Sequence, residues 1–385
     1  MSPYAEPLLR PTPSPRRAII PATPSEKRAI TPNWFASVMG TGIVATAAVS
    51  LPVGGSVLRP AATVVWLLAG ALLVLLLTLA ARRWRTVLDH AADPVMAHFY
   101  GAPPMAVLTV GAGTLQFGPA LIGPAGALAI AWTLWFAGTG AGLFAAVAVP
   151  YLRFTRHAAD ADADAGIGDR TAAFGGWLMP VVAPMVSAAT GALLVPHAPA
   201  GQARLSLLLG CYAMFGLSLV AALITITMIW QRLALHAIGP ARMVPALWIV
   251  LGPIGQAVTA ANLLGGVAGT ALPHAYQQGF EALGIVLGVP LWGFACLWAS
   301  LAAAVTVRTA RQGLPFSPTW WSFTFPVGTC VTGTSALAAH TGSVMFEVVA
   351  VVLYVALVAA WLTVGVRTLV SSPGWETFRT GRPGR

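Results

Sequence analysis

Charge is scarce in this chain. Of 385 residues, only 8% are Asp, Glu, Lys or Arg, roughly a third of the share in soluble domains. That excludes an ordinary water-soluble fold, and 57% apolar residues point the same way. Cysteine is scarce too. Cys211, Cys296 and Cys330 all fall inside apolar segments, with no CxxC and no metal spacing. A disulfide framework and a zinc site are excluded on that pattern. No nucleophile elbow, P-loop or HExxH occurs, so an enzyme, a cofactor and a resident metal have nothing to stand on. The net charge of +10 is spread over short loops rather than gathered in a stripe, which argues against nucleic acid as a partner. No apolar h-region follows the first residues, so a signal peptide is not expected. The first 30 residues hold seven prolines and five basic residues and read as a disordered tail.

What the chain has is long apolar runs. They fall at about 33–52, 58–81, 99–118, 124–150, 172–195, 205–232, 244–264, 278–306, 318–340 and 344–370, each near the ~20 residues needed to span a bilayer. The expectation is an all-α polytopic membrane protein with ten spans in domain 31–372, between tails 1–30 and 373–385. Nineteen of the 21 Lys and Arg residues lie in the two tails and the loops on one side, leaving Arg59 and Arg204 opposite. The positive-inside rule then places both termini in the cytoplasm, and a plasma-membrane location is expected. The acidic loop from Ala158 to Asp169 has the alternation of a calcium loop in Asp160, Asp162 and Asp164. It lacks the glycine and the closing glutamate, since 165 is Ala and 171 is Thr. A solvated loop is the reading.

The spans alternate in kind. The even ones are mostly plain, as in LLAGALLVLLLTLAA, with Pro290 of the eighth as the exception. The odd ones open on aromatic residues and then carry proline, small residues and hydroxyls. Pro180, Pro253 and Pro326 are each 73 residues apart, and Pro103, followed by Pro104, precedes Pro180 by 77. Pro184 adds a second proline to the fifth span. The first span has Gly40-Thr41-Gly42 in place of proline. This is a hairpin repeated five times, which closes most simply into a quasi-five-fold ring with odd helices inside. Broken helices at membrane depth are tolerated where they line a cavity or are buried in protein, so the inner ring is the expected path.

Along that path no Lys, Arg, Asp or His lies near mid-span. Glu281 and Glu347 are read as first-turn carboxylates held by the helix dipole. His98 and His340 are read as interfacial. The expected lining is Thr41, Thr109, Ser187, Thr190, Thr259, Ser322, Thr324, Thr329 and Thr332. An uncharged lining suits a weakly bound permeant ion. Proline frees carbonyls, which alone would favour cations, but the path lacks the carboxylates a metal cation needs and the basic cytoplasmic collar enriches anions, so the residues point to a solute or ion path, anion before cation.

The motifs TPNWFASVMGTGIV, HFYGAPPMAVLTVGAG, WLMPVVAPMVSAATGALL, VPALWIVLGPIGQAVTAA and WWSFTFPVGT occur in that order. Together they resemble the tellurite-resistance/dicarboxylate transporter family, which includes slow anion channels, malate permeases and sulfite pumps. The resemblance spans about residues 31–370. It implies a ring of ten helices, a pore, a homotrimer and a phenylalanine plug, here Phe325 before Pro326. The expectation is that Pro326 bends the ninth span and aims the Phe325 ring into the pore. The implied function is a gated anion channel for small anions of the dicarboxylate, sulfite, tellurite or halide and nitrate classes. The alternative is a proton-coupled malate carrier or a sulfite or tellurite exporter.

Overall fold

The computed structural model of the protein describes residues 31–93, 95–161 and 173–371. The tail expectations and the stretch Asp162–Asp169 lie outside the described residues. Among the described residues the chain forms helices and no strand. Ten long helices carry the architecture. They are α1 (Phe35–Ser50), α2 (Gly55–Arg82), α4 (Ala102–Phe117), α6 (Pro124–Ala161), α7 (Leu178–Leu194), α8 (Gln202–Leu235), α9 (Leu251–Ala268), α10 (His274–Arg311), α11 (Phe325–Thr341) and α12 (Val344–Val370). Two short helices, α3 (Trp84–Asp89) and α5 (Pro119–Ile122), lie in the connections.

Seven of the described helical stretches are long and apolar enough to cross a membrane. This is a polytopic membrane protein. The stretches containing α7 and α9 bury 89% of their apolar core inside the molecule, against 17–33% for the other five. Two kinds of helix are therefore present. α1, α4 and α11 are only 16, 16 and 17 residues long, and most of their residues are buried. Each long outer helix packs on the buried one before it, as α2 on α1 and α10 on α9. The buried helices also touch one another, α1 to α4, α4 to α7, α7 to α9, α9 to α11, and α11 back to α1.

Every buried helix begins with a 3-10 segment: Pro32–Trp34, Met96–Gly101, Gly175–Trp177, Ala241–Val250 and Pro318–Phe323. This corrects the expectation that the repeated prolines bend helices. Pro103, Pro104, Pro180, Pro253 and Pro326 all lie within the first three residues of their α-helices. There the ring withholds a donor from the carbonyls of the preceding 3-10 segment, and its fixed φ favours the α-helix that follows. Pro184 alone of that set is internal, within α7. The plain helices also hold prolines, Pro60 in α2 and Pro150 in α6 beside Pro290 in α10.

Lipid tails are as apolar as leucine, so close packing and hydrogen bonds hold such a bundle together. Small residues provide the closeness. A Cβ on Gly255 of α9 would lie 2.6 Å from backbone atoms of Thr329 and Cys330 in α11. A Cβ on Gly40 of α1 would collide with the Thr324 hydroxyl. Outer-helix side chains donate inward as well. Trp135 Nε1 reaches Ser187 O at 2.9 Å, Trp298 Nε1 reaches Leu247 O at 2.8 Å, and Trp361 Nε1 reaches Thr41 Oγ1 at 3.1 Å.

Gly255→Val forces a branched side chain into the α11 backbone and is expected to cost about 1–3 kcal/mol. Gly279→Ala, where nothing lies within 4 Å of the new Cβ, should be neutral or stabilising by up to about 1 kcal/mol. Thermal unfolding in detergent reads the difference, and equal midpoints for the two variants would contradict the packing argument.

Candidate functional site

A cavity of about 430 Å³ lies among the five buried helices. Ile43 and Thr46 of α1, Thr109 and Ala112 of α4, Val186 and Thr190 of α7, Gln256 and Thr259 of α9, and Thr332 and Ser335 of α11 line it. The lining extends to Ser50, Gln116 and Ala339, near the C-terminal ends of three of these helices. Its single charged wall residue is Arg59, contributed by α2.

Phe325 closes the other end. It lines this cavity and also a second one of about 30 Å³, room for little more than one or two waters. The small cavity is walled by Ala36, Met39, Phe99, Met105, Leu178, Val182, Ile249, Pro253 and Pro326. These belong to the first turns of the five buried helices or to the 3-10 segments before them. The Phe325 side chain is only 5% exposed. It is the first residue of α11, directly after the 3-10 segment. Thr324 fixes that junction: its hydroxyl donates to Trp321 O at 2.7 Å and its carbonyl accepts Gly328 N at 2.9 Å. Pro326 packs beside Gly252 of α9.

The helix ends give the site its field. N-terminal ends carry roughly half a positive charge and C-terminal ends half a negative one. The apolar constriction therefore sits among five positive ends, and the wide cavity faces negative ones. Arg59 Nη1 donates to Gln116 O at 2.9 Å and the guanidinium lies over the Phe117 ring at 5.8 Å. Arg204 likewise donates to Ala198 O at 2.8 Å and Pro196 O at 3.2 Å. The two basic residues expected opposite the arginine-rich side thus satisfy carbonyls at helix ends.

Of the hydroxyls expected on the path, Thr109, Thr190, Thr259 and Thr332 line the large cavity and Ser322 the small one. Thr41, Ser187, Thr324 and Thr329 are buried in helix contacts instead. Thr41 accepts from Trp361, and Thr329 donates to Pro326 O at 2.7 Å. Gly42 faces Thr109, and Gly40 faces Thr324. Pro104 packs on α6, and Pro103 lines a separate lateral pocket with it. Pro180 lies against Gly101, and Pro184 is buried within α7. Ser322, Phe325, Pro253 and Pro326 are the members of the expected set that meet at the constriction.

Sequence reasoning missed Arg59, Gln256 and Ser335. Gln256 carried a signal, as a lone amide at the centre of VLGPIGQAVTAA. Arg59 carried none, because it comes from an outer helix. Two other readings are corrected. His98 is not interfacial: it is 3% exposed, stacked at 5.4 Å on Trp177 and edge-on to Phe174 at 5.6 Å. His340 is exposed in the last turn of α11, in keeping with its expected place at a helix end, and its Nδ1 donates to the buried Asn262 Oδ1 at 2.6 Å, tying α11 to α9. Glu281 is not in a first turn, because α10 already starts at His274; it accepts from Gln277 Nε2 at 2.8 Å. Glu347 does lie in the first turn of α12. Among the described residues no group of three His, Cys, Asp or Glu could hold a metal ion.

Comparison with known proteins gives the site a context. The sequence matches the voltage-dependent anion channel family over residues 29–369. A sulfite efflux pump of Trichophyton rubrum is 28% identical over 358 residues, covering 90% of this chain and 92% of the pump. Another sulfite efflux pump, of Arthroderma otae, is 28% identical over 361 residues, with the same coverage. An uncharacterised transporter of Methanocaldococcus jannaschii is 27% identical over 306 residues, covering 78% and 81%.

Cysteine substitution tests the lining. In a background with Cys296→Ser, Thr332→Cys should react with a hydrophilic methanethiosulfonate reagent. Thr329→Cys, one turn away and fully buried, should stay protected. Equal labelling at the two positions would contradict the cavity's placement.

Proposed function

For this chain, which belongs to the voltage-dependent anion channel family, we propose a gated pathway for small anions along the axis of the five buried helices, occluded by Phe325. The observation that carries the reading is the position of that ring. It is the shared wall of a wide, hydroxyl-bearing cavity and a nearly filled apolar one. An apolar ring in a narrow passage gates by excluding water, and the five helix N-terminal ends around it favour an anion over a cation. Removing the ring would let an anion cross where its field is most favourable.

The architecture behind this reading is ten membrane-crossing helices arranged as five hairpins in a quasi-five-fold ring. The closed succession of contacts from α1 through α4, α7, α9 and α11 supports it. So does the alternation of buried and exposed helices. α1, α4 and α11 gain the length to cross from their preceding 3-10 segments. The arginine asymmetry supports cytoplasmic termini, and a plasma-membrane location is part of the same reading. Under that orientation the wide cavity faces outward and the constriction inward. A homotrimer rests on the family resemblance.

Two relatives named as sulfite efflux pumps favour a small oxyanion of the sulfite class as the permeant species. They also support a second reading, an exporter that couples sulfite movement to another gradient. The walls of the two cavities hold no carboxylate and no histidine among the described residues, which favours passive flux over proton coupling.

Anion flux into proteoliposomes tests the pathway. Phe325→Ala should raise sulfite and chloride flux at least about tenfold, equivalent to ~1.4 kcal/mol off the barrier, with the order of anions unchanged. No gain, together with saturable uptake driven by a pH gradient, would overturn the passive gate and support the coupled exporter.

A further inference from the structure

The cavity outside Phe325 looks rich in hydrogen-bond donors, yet most of its hydroxyls have none to offer. A threonine carries a single O–H proton. Thr109 donates its proton to Met105 O at 2.7 Å, Thr190 to Val186 O at 2.8 Å and Thr259 to Gly255 O at 2.9 Å. Thr332 lies 2.8 Å from Thr259 Oγ1 and 3.1 Å from Thr329 O, both of which accept its proton, and Ser50 donates to Ala47 O at 2.8 Å. Each of these protons is taken up by a neighbouring protein oxygen, and the groups present lone pairs to the cavity. An anion gains nothing from them.

Two buried side chains in the wall are uncommitted. Gln256 is 5% exposed and makes no hydrogen bond among the described residues. Ser335 is 2% exposed, and its Oγ has no partner. Buried polar groups are nearly always paired, and one left open asks for an explanation. The Ser335 hydroxyl is buried with no partner, which is costly, while the Gln256 amide is open to the cavity and free to pair with what enters it.

Their depth follows from helix register. α9 and α11 run side by side, with Gly252 beside Pro326, Gly255 beside Thr329 and Thr259 Oγ1 2.8 Å from Thr332 Oγ1. Gln256 therefore lies about one turn, ~6 Å, beyond the Phe325 level. Ser335 is ten residues along α11 from Phe325, which is ~15 Å. Arg59 stands at the rim, beside the last turn of α4.

We propose that Gln256 and Ser335 form an anion-binding ladder between the Arg59 rim and the Phe325 ring. The Gln256 amide N–H₂ is the last donor an oxyanion meets before the occlusion. The ligand class is a small, partly desolvated oxyanion such as sulfite or its protonated form, whose oxygens accept from the amide and the hydroxyl. The assignment rests on the pathway reading above and adds to it where the ion waits.

The test uses the full-length Phe325→Ala protein in proteoliposomes, with sulfite and chloride flux measured against concentration. Adding Gln256→Leu should raise the half-saturating sulfite concentration about tenfold. Adding Ser335→Ala, which removes one hydroxyl, should raise it severalfold. Gln256→Asn should restore most of the loss, because the donor is retained. Monodispersity on gel filtration checks folding, and Ser335→Ala keeps the test alive if Gln256→Leu does not fold. Unchanged half-saturation in both Gln256→Leu and Ser335→Ala, with the parent still conducting, overturns the ladder and leaves the pathway standing. A parent that conducts no anion overturns the pathway, and the ladder with it.

Discussion

The close approach of five short, buried helices is the constraint on which everything else depends. Their N-terminal turns crowd so tightly that one phenylalanine ring nearly fills the space between them. In water such crowding would follow from burying apolar surface. In lipid that drive is absent, and shape and hydrogen bonds must supply the attraction. Gly255 against the α11 backbone and Gly40 against Thr324 provide the shape. Indole N–H groups from the outer helices provide much of the bonding, at Ser187, Leu247 and Thr41. The outer helices thus brace the inner ones through polar contacts while showing apolar faces to the outside.

Convergence at one end implies divergence at the other. The same five helices that close on Phe325 open into a 430 Å³ cavity at their far ends. This gives the molecule an electrostatic gradient made of backbone alone, positive at the constriction and negative at the mouth. Arg59 donates to a carbonyl at that mouth, and Arg204 to carbonyls just after α7. The Arg59 charge offsets part of the negative field at the cavity wall.

Much of the fold was legible in the sequence because long apolar runs admit few alternatives in a bilayer. The runs found at 124–150 and 344–370 correspond to α6 and α12, and the two kinds of helix are visible in their composition. Helix starts were not legible. Proline in an apolar run is consistent with either a kink or an N-terminal turn. Only the preceding 3-10 segments, invisible to composition, show Pro103, Pro253 and Pro326 to be first-turn residues. The start of a helix sets the phase of its faces. Without it, residue type identified hydroxyls such as Thr259 and Thr329 equally, although one lines the cavity and the other lies in the helix contact. The orientation of the threonine protons, which decides what an anion can use, lies one level deeper. Arg59 was beyond reach for a different reason, since a five-helix reading does not look to an outer helix for a wall.

The central claim is that an apolar ring occludes a path whose backbone field selects anions. The most direct measurement is the reversal potential of Phe325→Ala channels in a planar bilayer under a potassium chloride gradient. The account predicts a potential close to the chloride equilibrium value, because the five helix N-terminal ends remain when the ring is gone. A potential close to the potassium value, or no current at all, would contradict it.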